Sequence, residues 1–209
     1  MEKTFEESLE FRHACKIFDD TKRISDEDIK YIMEAGRRSP SSFGMEAWKF
    51  LVITNEDLKA KIRPACWNQP QITSCSHLVI VLAGIESVKV ESGLPKKRFA
   101  RRDMPQEKLD FYLKLYADHL KETLSSDKNI YAWTAKQTIF ASTNMMSAAA
   151  IKGIDSCPIE GYDQNAVEEI LNIDKNKYKL ALVLPFGYRL NEQPDQLRLS
   201  FDEVVEFIK

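Results

Sequence analysis

A run of basic side chains near the N-terminus is the first feature of this sequence that could do chemistry. Arg12, His13 and Lys16 place three hydrogen-bond donors within R-H-A-C-K, just before the apolar pair Ile17 and Phe18. An arginine offers a planar fork that fits a phosphate, and a lysine offers a mobile point charge. The run therefore predicts either an anion-binding segment or a solvated surface turn, and by itself it does not separate the two.

A second stretch, RSPSSFGMEAW at residues 38–48, joins a predicted amphipathic helix to a predicted apolar strand. Its proline, serines and glycine present backbone N–H groups and hydroxyls and expose little apolar surface. These residue types are usual in turns, so a plain surface turn is the default interpretation. The alternative is a loop whose hydrogen-bond donors face a bound molecule.

The rest of the sequence contains no familiar hydrolase, nucleotide-binding or metalloprotease motif. It lacks GxSxG, GxxxxGK[ST], HExxH and GxGxxG, and its three histidines leave little for acid–base hydrolysis. The four cysteines are scattered, and only Cys75 and His77 lie close together, which is too few ligands for zinc. We therefore expect no metal site, and we expect reduced thiols in a cytoplasmic protein.

Composition narrows the class of protein further. The chain has 209 residues, 44% of them hydrophobic and 30% charged, which suits a single domain over residues 1–209. A formal net charge of −2 predicts that the protein neither binds nucleic acid nor is attracted to an acidic membrane surface. The basic run KKRFARR at 96–102 could be a nucleic-acid patch, but the nearby MPQEKLDFY favours a solvated loop and helix start. We see no signal peptide, and the longest apolar run, 78–85, is too short for a membrane span.

Hydrophobic periodicity predicts helices and strands in an irregular order. Helices are predicted over residues 4–11, 25–38, 55–62, 105–124, 130–152 and 164–171 and in the tail LSFDEVVEFIK. Strands are predicted over residues 47–54, 78–83 and 178–184, with a short extended piece in IDSCPIEGYD. Ser25 and Asn55 are expected to cap helices, and Gly153 is expected to end one. Because no regular βαβ repeat is present, an α+β fold is favoured over a doubly wound sheet.

Four of these stretches, in this order, resemble the flavin-dependent (FMN) nitroreductase family of the NAD(P)H-dependent, oxygen-insensitive type. They are RHACKIFD, RSPSSFGMEAWKFLVIT, AWTAKQ in the long helix, and PIEGYD. The resemblance implies a central, mostly antiparallel sheet flanked by helices, in an intertwined homodimer with a flavin at each interface site. It also implies ping-pong hydride transfer from NADH or NADPH through FMN to a small acceptor such as a nitroaromatic or a quinone, with no obligatory protein acid or base.

The resemblance further assigns positions around the two polar ends of the cofactor. On the phosphate side the implied contacts are Arg12, His13, Ala14 and Arg198. The two arginines would make charge-assisted contacts to the phosphate. Lys16 would lie near the pyrimidine edge, where a cation stabilises the charge that develops on reduction. Asn68 and Gln71 are implied at the same edge.

Other implied positions surround the flavin ring. From the second subunit they are Pro40, Ser41, Ser42, Gly44 and Gln137. The surroundings of flavin N5 would be Pro158, Ile159, Glu160 and Gly161. Gly161 can offer its backbone N–H without a side chain in the hydride path. Trp67 would lie at the mouth of the pocket, and Tyr116 would sit on a mobile helix over the open flavin face, where acceptors stack.

Several positions depart from the family pattern. The residues that replace the usual ones are Ala14, Gly44, Glu46, Ala47, Gln71 and Gln196. Fewer cations and donors imply weaker FMN binding, and Glu46 would oppose an anionic reduced flavin if it pointed inwards. Two alternatives therefore stay open: a specialised flavoenzyme on the same fold, such as a dehydrogenase or dehalogenase, and a flavin-binding protein without catalysis.

Overall fold

The computed structural model describes residues 2–209, and in this part of the chain four strands form one sheet. In chain order they are β1 (Trp48–Ile53), β2 (His77–Gly84), β3 (Asp155–Ser156) and β4 (Tyr178–Gly187). Their spatial order is β1-β2-β4-β3, and each neighbouring pair is antiparallel, with Trp48 opposite Ala83 and His77 opposite Phe186. The prediction of an α+β fold around an antiparallel sheet is confirmed.

Nine α-helices accompany the sheet in residues 2–209. They are α1 (Phe5–Phe11), α2 (Asp26–Arg37), α3 (Glu56–Ala65), α4 (Gln71–Ser74), α5 (Leu94–Ala100), α6 (Gln106–Thr123), α7 (Asp127–Ile151), α8 (Gln164–Ile170) and α9 (Phe201–Val204). The predicted caps are present, because the side chains of Ser25 and Asn55 accept hydrogen bonds from the N–H groups of Asp28 and Leu58. Gly153 follows α7 at a φ of 71°, a left-handed conformation that suits glycine after a helix.

The strand β2 is buried along its whole length, because helices cover both faces of the sheet. On one face, Ile62 of α3 belongs to the same apolar cluster as Ile80. On the other face, Ile32 of α2 and Met145 of α7 pack in a cluster with Val79. Burying each such side chain contributes roughly 1.5–3 kcal/mol, so the two clusters fix the sheet between helical layers.

A third apolar cluster packs α5 and α6 against the loop that follows α2. It contains Met45, Phe99 of α5 and Tyr116 of α6. The basic run 96–102 is therefore mostly helical, and the expectation of a solvated loop there was wrong. Phe99 explains the difference, because this one buried ring anchors a helix whose other face carries the charges.

The C-terminal tail differs from the long amphipathic helix that its pattern predicts. Only Phe201–Val204 is helical, and Val205 is extended at φ −127° and ψ 123°. Leu197, Phe207 and Ile208 are exposed. The tail therefore carries apolar side chains that its own chain does not cover.

The four cysteines are free thiols, and all are buried. Burial raises the pKa of Cys15 and Cys75 to about 12 and that of Cys66 to about 11. Within residues 2–209, no helix is long and apolar enough to cross a membrane. In the same part of the chain, no group of three or more His, Cys, Asp or Glu residues is placed to hold a metal ion.

Candidate active site

The basic segment 12–16 lies beside the short strand β3. It leaves α1 at Arg12, and Ala14 forms an isolated bridge with Ser156. The segment lines a cleft of about 180 Å³ together with Arg189 and the first residues of the tail. Lys16 is exposed in this cleft, so its ammonium group is open to a ligand.

Asp155, at the start of β3, holds this segment against the end of the sheet. Its carboxylate accepts hydrogen bonds from the backbone N–H and the Nε of Arg189, at 2.9 and 2.8 Å. Its Oδ1 atom lies 3.6 Å from Nδ1 of His13. Neither Asp155 nor Arg189 was identified from the sequence, since Asp155 begins β3, Arg189 lies just beyond β4, and only the fold brings them together.

His13 contributes a buried nitrogen that has no hydrogen-bond partner among residues 2–209. Burial and, next, the charge of Arg189 lower the pKa of His13, while Asp155 opposes the shift. A neutral imidazole beside a basic cleft can donate or accept one hydrogen bond. The orphaned nitrogen is Nδ1, which faces Asp155, so the neighbouring cations Arg12 and Lys16, rather than His13, fit a bound anionic group such as the phosphate that the resemblance implies.

The tail runs next to Arg12 on the phosphate side. The amide of Gln196 donates hydrogen bonds to the carbonyl oxygens of Arg12 and Glu10, both at 2.7 Å. Arg198 follows two residues later, is exposed, and donates a hydrogen bond to the carbonyl of its neighbour Leu197 at 2.7 Å. Gln196, which stands where some relatives carry a cation, thus ties the segment that carries Arg198 to the segment that carries Arg12.

A turn at residues 67–69 meets residues 158–161, the segment that follows β3. Trp67 and Asn68 both adopt left-handed backbone conformations, at φ 54° and 56°. The amide of Gln69 donates a hydrogen bond to the carbonyl of Gly161 at 3.0 Å. The Trp67 ring, which is 73% exposed, lies so close that a Cβ on Gly161 would be 2.7 Å from its Cε3 atom. The structure therefore brings the predicted Trp67, Asn68 and Gly161 together.

The residues between β3 and Gly161 face in different directions. Pro158 and Glu160 are exposed, whereas Ile159 is buried and pairs with Val183 across the sheet. Ile159 can therefore contact a ligand through its backbone but not through its side chain. Burial raises the pKa of the preceding Cys157 thiol, and the charge of Lys16 opposes that shift, which places Lys16 near this segment.

Two predicted contacts are corrected by the structure because their side chains are buried inside the chain. Tyr116 has no exposed surface, and its hydroxyl donates a hydrogen bond to the carbonyl of Val88 at 2.5 Å. It is a core residue of the third cluster and presents no face to an acceptor. The amide of Gln71 is likewise buried and donates to Oε1 of Gln69 at 2.9 Å. At this buried position the neutral amide of Gln71 needs only a hydrogen-bond partner, whereas a lysine would need a countercharge.

The loop 40–46 forms a second group of predicted contacts. The backbone N–H of Ser42 donates to Oε1 of Gln137 on α7 at 2.8 Å, so these two residues lie together. The Ser41 hydroxyl accepts a hydrogen bond from the N–H of Glu46 at 2.8 Å. Pro40 is exposed at the start of the loop, and Gly44 is left-handed at φ 67°. The stretch is therefore a shaped loop whose backbone is fixed by side chains.

The charge of Glu46 is not free, because it is paired. Its carboxylate pairs with the guanidinium of Arg101, with Oε1 2.9 Å from Nη2. Nη2 of Arg101 also donates to the carbonyl of Gly44 at 3.4 Å. Arg101, at the end of α5, thus partly neutralises the negative charge of Glu46. The sequence analysis did not predict this ion pair.

We expect acid to destabilise the protein without cofactor as the pH falls below about 6.5. Burial lowers the pKa of His13 and of His77 from the ordinary 6.5, helped by Arg189 and Lys59 respectively. The unfolded chain then binds protons at a higher pH than the folded chain, so the free energy of unfolding falls as pH drops below about 6.5. Urea titrations at three pH values measure this slope.

Asp19 and Glu34 do not contribute in that range, because their pKa values are lowered to about 2. Hydrogen bonds from Thr21 and Arg37, respectively, are the main causes. A His77→Gln variant serves as the control and should show a shallower slope. Stability that stays level or rises on acidification would contradict the prediction.

Comparison with known proteins places the chain in one family. The nitroreductase family model matches residues 9–188. The chain is 35% identical over 212 residues to YfkO of Bacillus subtilis and 38% identical over 217 residues to a Haemophilus influenzae protein, both provisionally named NAD(P)H nitroreductases. These alignments cover 97% and 98% of this chain and 96% and 98% of the relatives. The chain belongs to the nitroreductase family and is an oxidoreductase, which confirms the resemblance seen in its motifs.

Solved structures share the fold over nearly its full length. A Staphylococcus epidermidis protein, provisionally described as an NAD(P)H:FMN oxidoreductase, superposes with a TM-score of 0.86 at 22% identity, covering 100% of this chain and 98% of that one. An Exiguobacterium sibiricum protein, provisionally described as a nitroreductase in complex with FMN, gives 0.84 at 24% identity and covers 99% and 98%. At these identities the similarity establishes the fold.

Proposed function

We propose that the protein is an FMN-dependent NAD(P)H oxidoreductase that reduces nitroaromatics, quinones or related acceptors by a ping-pong route. One observation carries the proposal. The fold pairs the basic segment 12–16 with Ser156 and the turn 67–69 with Gly161, at the two ends of residues 156–161, although these segments are far apart in sequence. The names and FMN complex of the related proteins support the same cofactor and donors.

The chain's own residues then have separate tasks. Arg12 and Arg198 would hold the phosphate, and His13 would lie beside them. Lys16 and Asn68 would contact the pyrimidine edge, where a cation favours the reduced state. When bound, FMN supplies the hydride-accepting and hydride-donating chemistry, and the protein orients and desolvates the reactants. No residue is required to act as an acid or a base.

We further propose that two copies form the site. The tail exposes apolar side chains and becomes extended at Val205, while β1 lies at the edge of the sheet. A tail from one copy can pair with that edge in the other. The loop 40–44 and Gln137 of the second copy would then contact the flavin. We assign this homodimer to the cytoplasm, since its cysteines are free thiols.

The first test is flavin retention followed by reduction. Protein given excess FMN and then desalted should keep the visible flavin bands, and anaerobic NADH or NADPH should bleach them promptly. An Arg12→Ala variant should bind FMN at least about tenfold more weakly, because a charge-assisted phosphate contact is lost. Arg23→Ala, which removes an exposed arginine paired with Glu56, is the matched control and should retain FMN normally. Wild-type protein without retained flavin would refute the proposal, and retained flavin that neither donor bleaches would favour a non-catalytic flavin protein.

A Gly161→Ala variant should slow reduction of the bound flavin by roughly tenfold while changing the free energy of unfolding by less than about 1 kcal/mol. The new Cβ would lie 2.7 Å from the Trp67 ring and force that exposed ring to move over the cleft. Stopped-flow bleaching measures the rate, and urea titration of the same variant measures stability. Wild-type reduction rates in this variant would show that hydride does not pass over Gly161.

A further inference from the structure

The function proposed above gives no role to the basic run on α5. It places five cations at residues 96–102, in a chain of net charge −2. Arg98 donates to the carbonyl of Ser87 at 2.6 Å, and Arg101 pairs with Glu46. Lys96, Lys97 and Arg102 are exposed, and no carboxylate lies within 4.0 Å of their charged groups among the salt bridges of residues 2–209. Their charge is therefore free to act on a ligand.

Arg102 differs from the two lysines because its guanidinium is held in place. Its Nη2 atom donates to the carbonyl of Phe43 at 3.2 Å, and its Cζ atom lies 5.6 Å from the centre of the Phe99 ring. A Cβ on Gly44 would come within 3.0 Å of Nη2, so the glycine at this position leaves the room that the guanidinium occupies. A fixed guanidinium with unused donors is preorganised for an anion with several oxygens.

The place of Arg102 connects it to the proposed reaction. Phe43 directly follows Ser42, whose N–H is bound by Gln137, so Arg102 rests on the loop that would contact the flavin. A nicotinamide stacked on the flavin leaves the rest of its dinucleotide on the neighbouring protein surface. The chain has no GxGxxG fingerprint with an acidic residue to select the unphosphorylated ribose. Donor selection therefore does not use that motif, and a charged group beside this loop is a candidate for it.

We propose that Arg102 binds the 2′-phosphate of NADPH, with Lys97 adding to the local positive field, and that the protein consequently prefers NADPH to NADH. The inference rests on the proposed function, because it needs a flavin beside the loop. The opposing explanation is that the cations after α5 only stabilise the negative end of that helix. Helix stabilisation alone would affect both donors equally, whereas phosphate recognition would affect one.

The test compares the two donors on FMN-loaded protein. In an Arg102→Gln variant, kcat/KM for NADPH should fall roughly tenfold, and kcat/KM for NADH should change by less than about twofold. Lys61→Gln on α3 removes one exposed positive charge elsewhere and should leave both values unchanged. Equal losses with NADPH and NADH, or no loss with either, would overturn the assignment of the 2′-phosphate.

A binding measurement without hydride transfer separates this inference from the proposed function. Adenosine 2′,5′-bisphosphate should bind the FMN-loaded wild type more tightly than AMP, and Arg102→Gln should weaken only the bisphosphate, roughly tenfold. Isothermal titration measures both. If wild-type protein retains and reduces FMN but binds the two nucleotides equally, the inference fails while the proposed function stands. If no flavin is retained, the proposed function fails first.

Discussion

Removing residues 200–209 is expected to give a folded monomer that binds FMN about a hundredfold more weakly than the full chain. The removed segment includes Phe207 and Ile208, which nothing in their own chain covers. The edge strand β1 and helix α2 form a groove lined by the apolar residues Ile29, Met33, Phe50 and Val52. An extended apolar tail can add to such an edge in a second copy, so its loss should separate the subunits.

The size of the effect follows from the contacts that a monomer lacks. Ser41, Ser42 and Gln137 of the second copy would each make one flavin contact, at about 1 kcal/mol apiece, and the sum corresponds to about a hundredfold in affinity. Light scattering after gel filtration gives the subunit number, and fluorescence titration gives the FMN dissociation constant. Glu206→Gln is the control, since it keeps the apolar side chains and should stay dimeric. A truncated protein that remains dimeric with unchanged FMN affinity would contradict the proposal that the tail joins the two copies.

An Asp155→Asn variant is expected to lose about 3 kcal/mol of unfolding free energy. Asp155 is buried, and it accepts both the backbone N–H and the Nε of Arg189. Without the carboxylate, the largely buried guanidinium of Arg189 keeps its charge but loses its counterion. The His13 segment should loosen as well, because Asp155 lies between it and β4. FMN affinity should therefore fall together with stability.

The control for that variant is Asp118→Asn on α6, which breaks an exposed pair with Lys114. Exposed pairs contribute little, so this change should leave the denaturation midpoint almost unmoved. Urea denaturation at pH 7.5 compares both variants with the wild type. An Asp155→Asn protein as stable as the wild type would show that the Arg189 interaction is dispensable.

Local signals in the sequence were sufficient for most elements of the fold. Ser25 and Asn55 predict the starts of their helices, because a capping side chain acts within three residues. The apolar run of β2 predicts a strand that is covered on both faces. The tail could not be predicted in this way. Its apolar spacing suits a helix, but most helical stability comes from packing, and Phe207 meets only the exposed ring of Phe201 while Ile208 stays almost fully exposed.

The candidate site was predictable only as far as the resemblance reached. It located the segments around Arg12, Asn68 and Gly161, and the fold puts the first beside Ser156 and the other two beside each other. It could not locate Asp155 or Arg102, because their meaning depends on partners that folding supplies from distant elements. Tyr116 was misplaced for the same reason, since Phe43 and Phe99 enclose its ring from separate elements.

Under the proposed function, the burial of the four cysteines would protect the protein from the reactive quinones and nitro compounds that it handles. Quinones and partly reduced nitro compounds attack thiolates, which are the reactive form of cysteine. With Cys15 and Cys75 protonated up to about pH 12 and no thiol at the surface, the folded chain offers such electrophiles almost no target. Unfolding exposes all four sulfur atoms at once. The rate at which reactive products alkylate the protein is therefore set by how often the chain opens, and any mutation that loosens the fold also shortens its working life among those products.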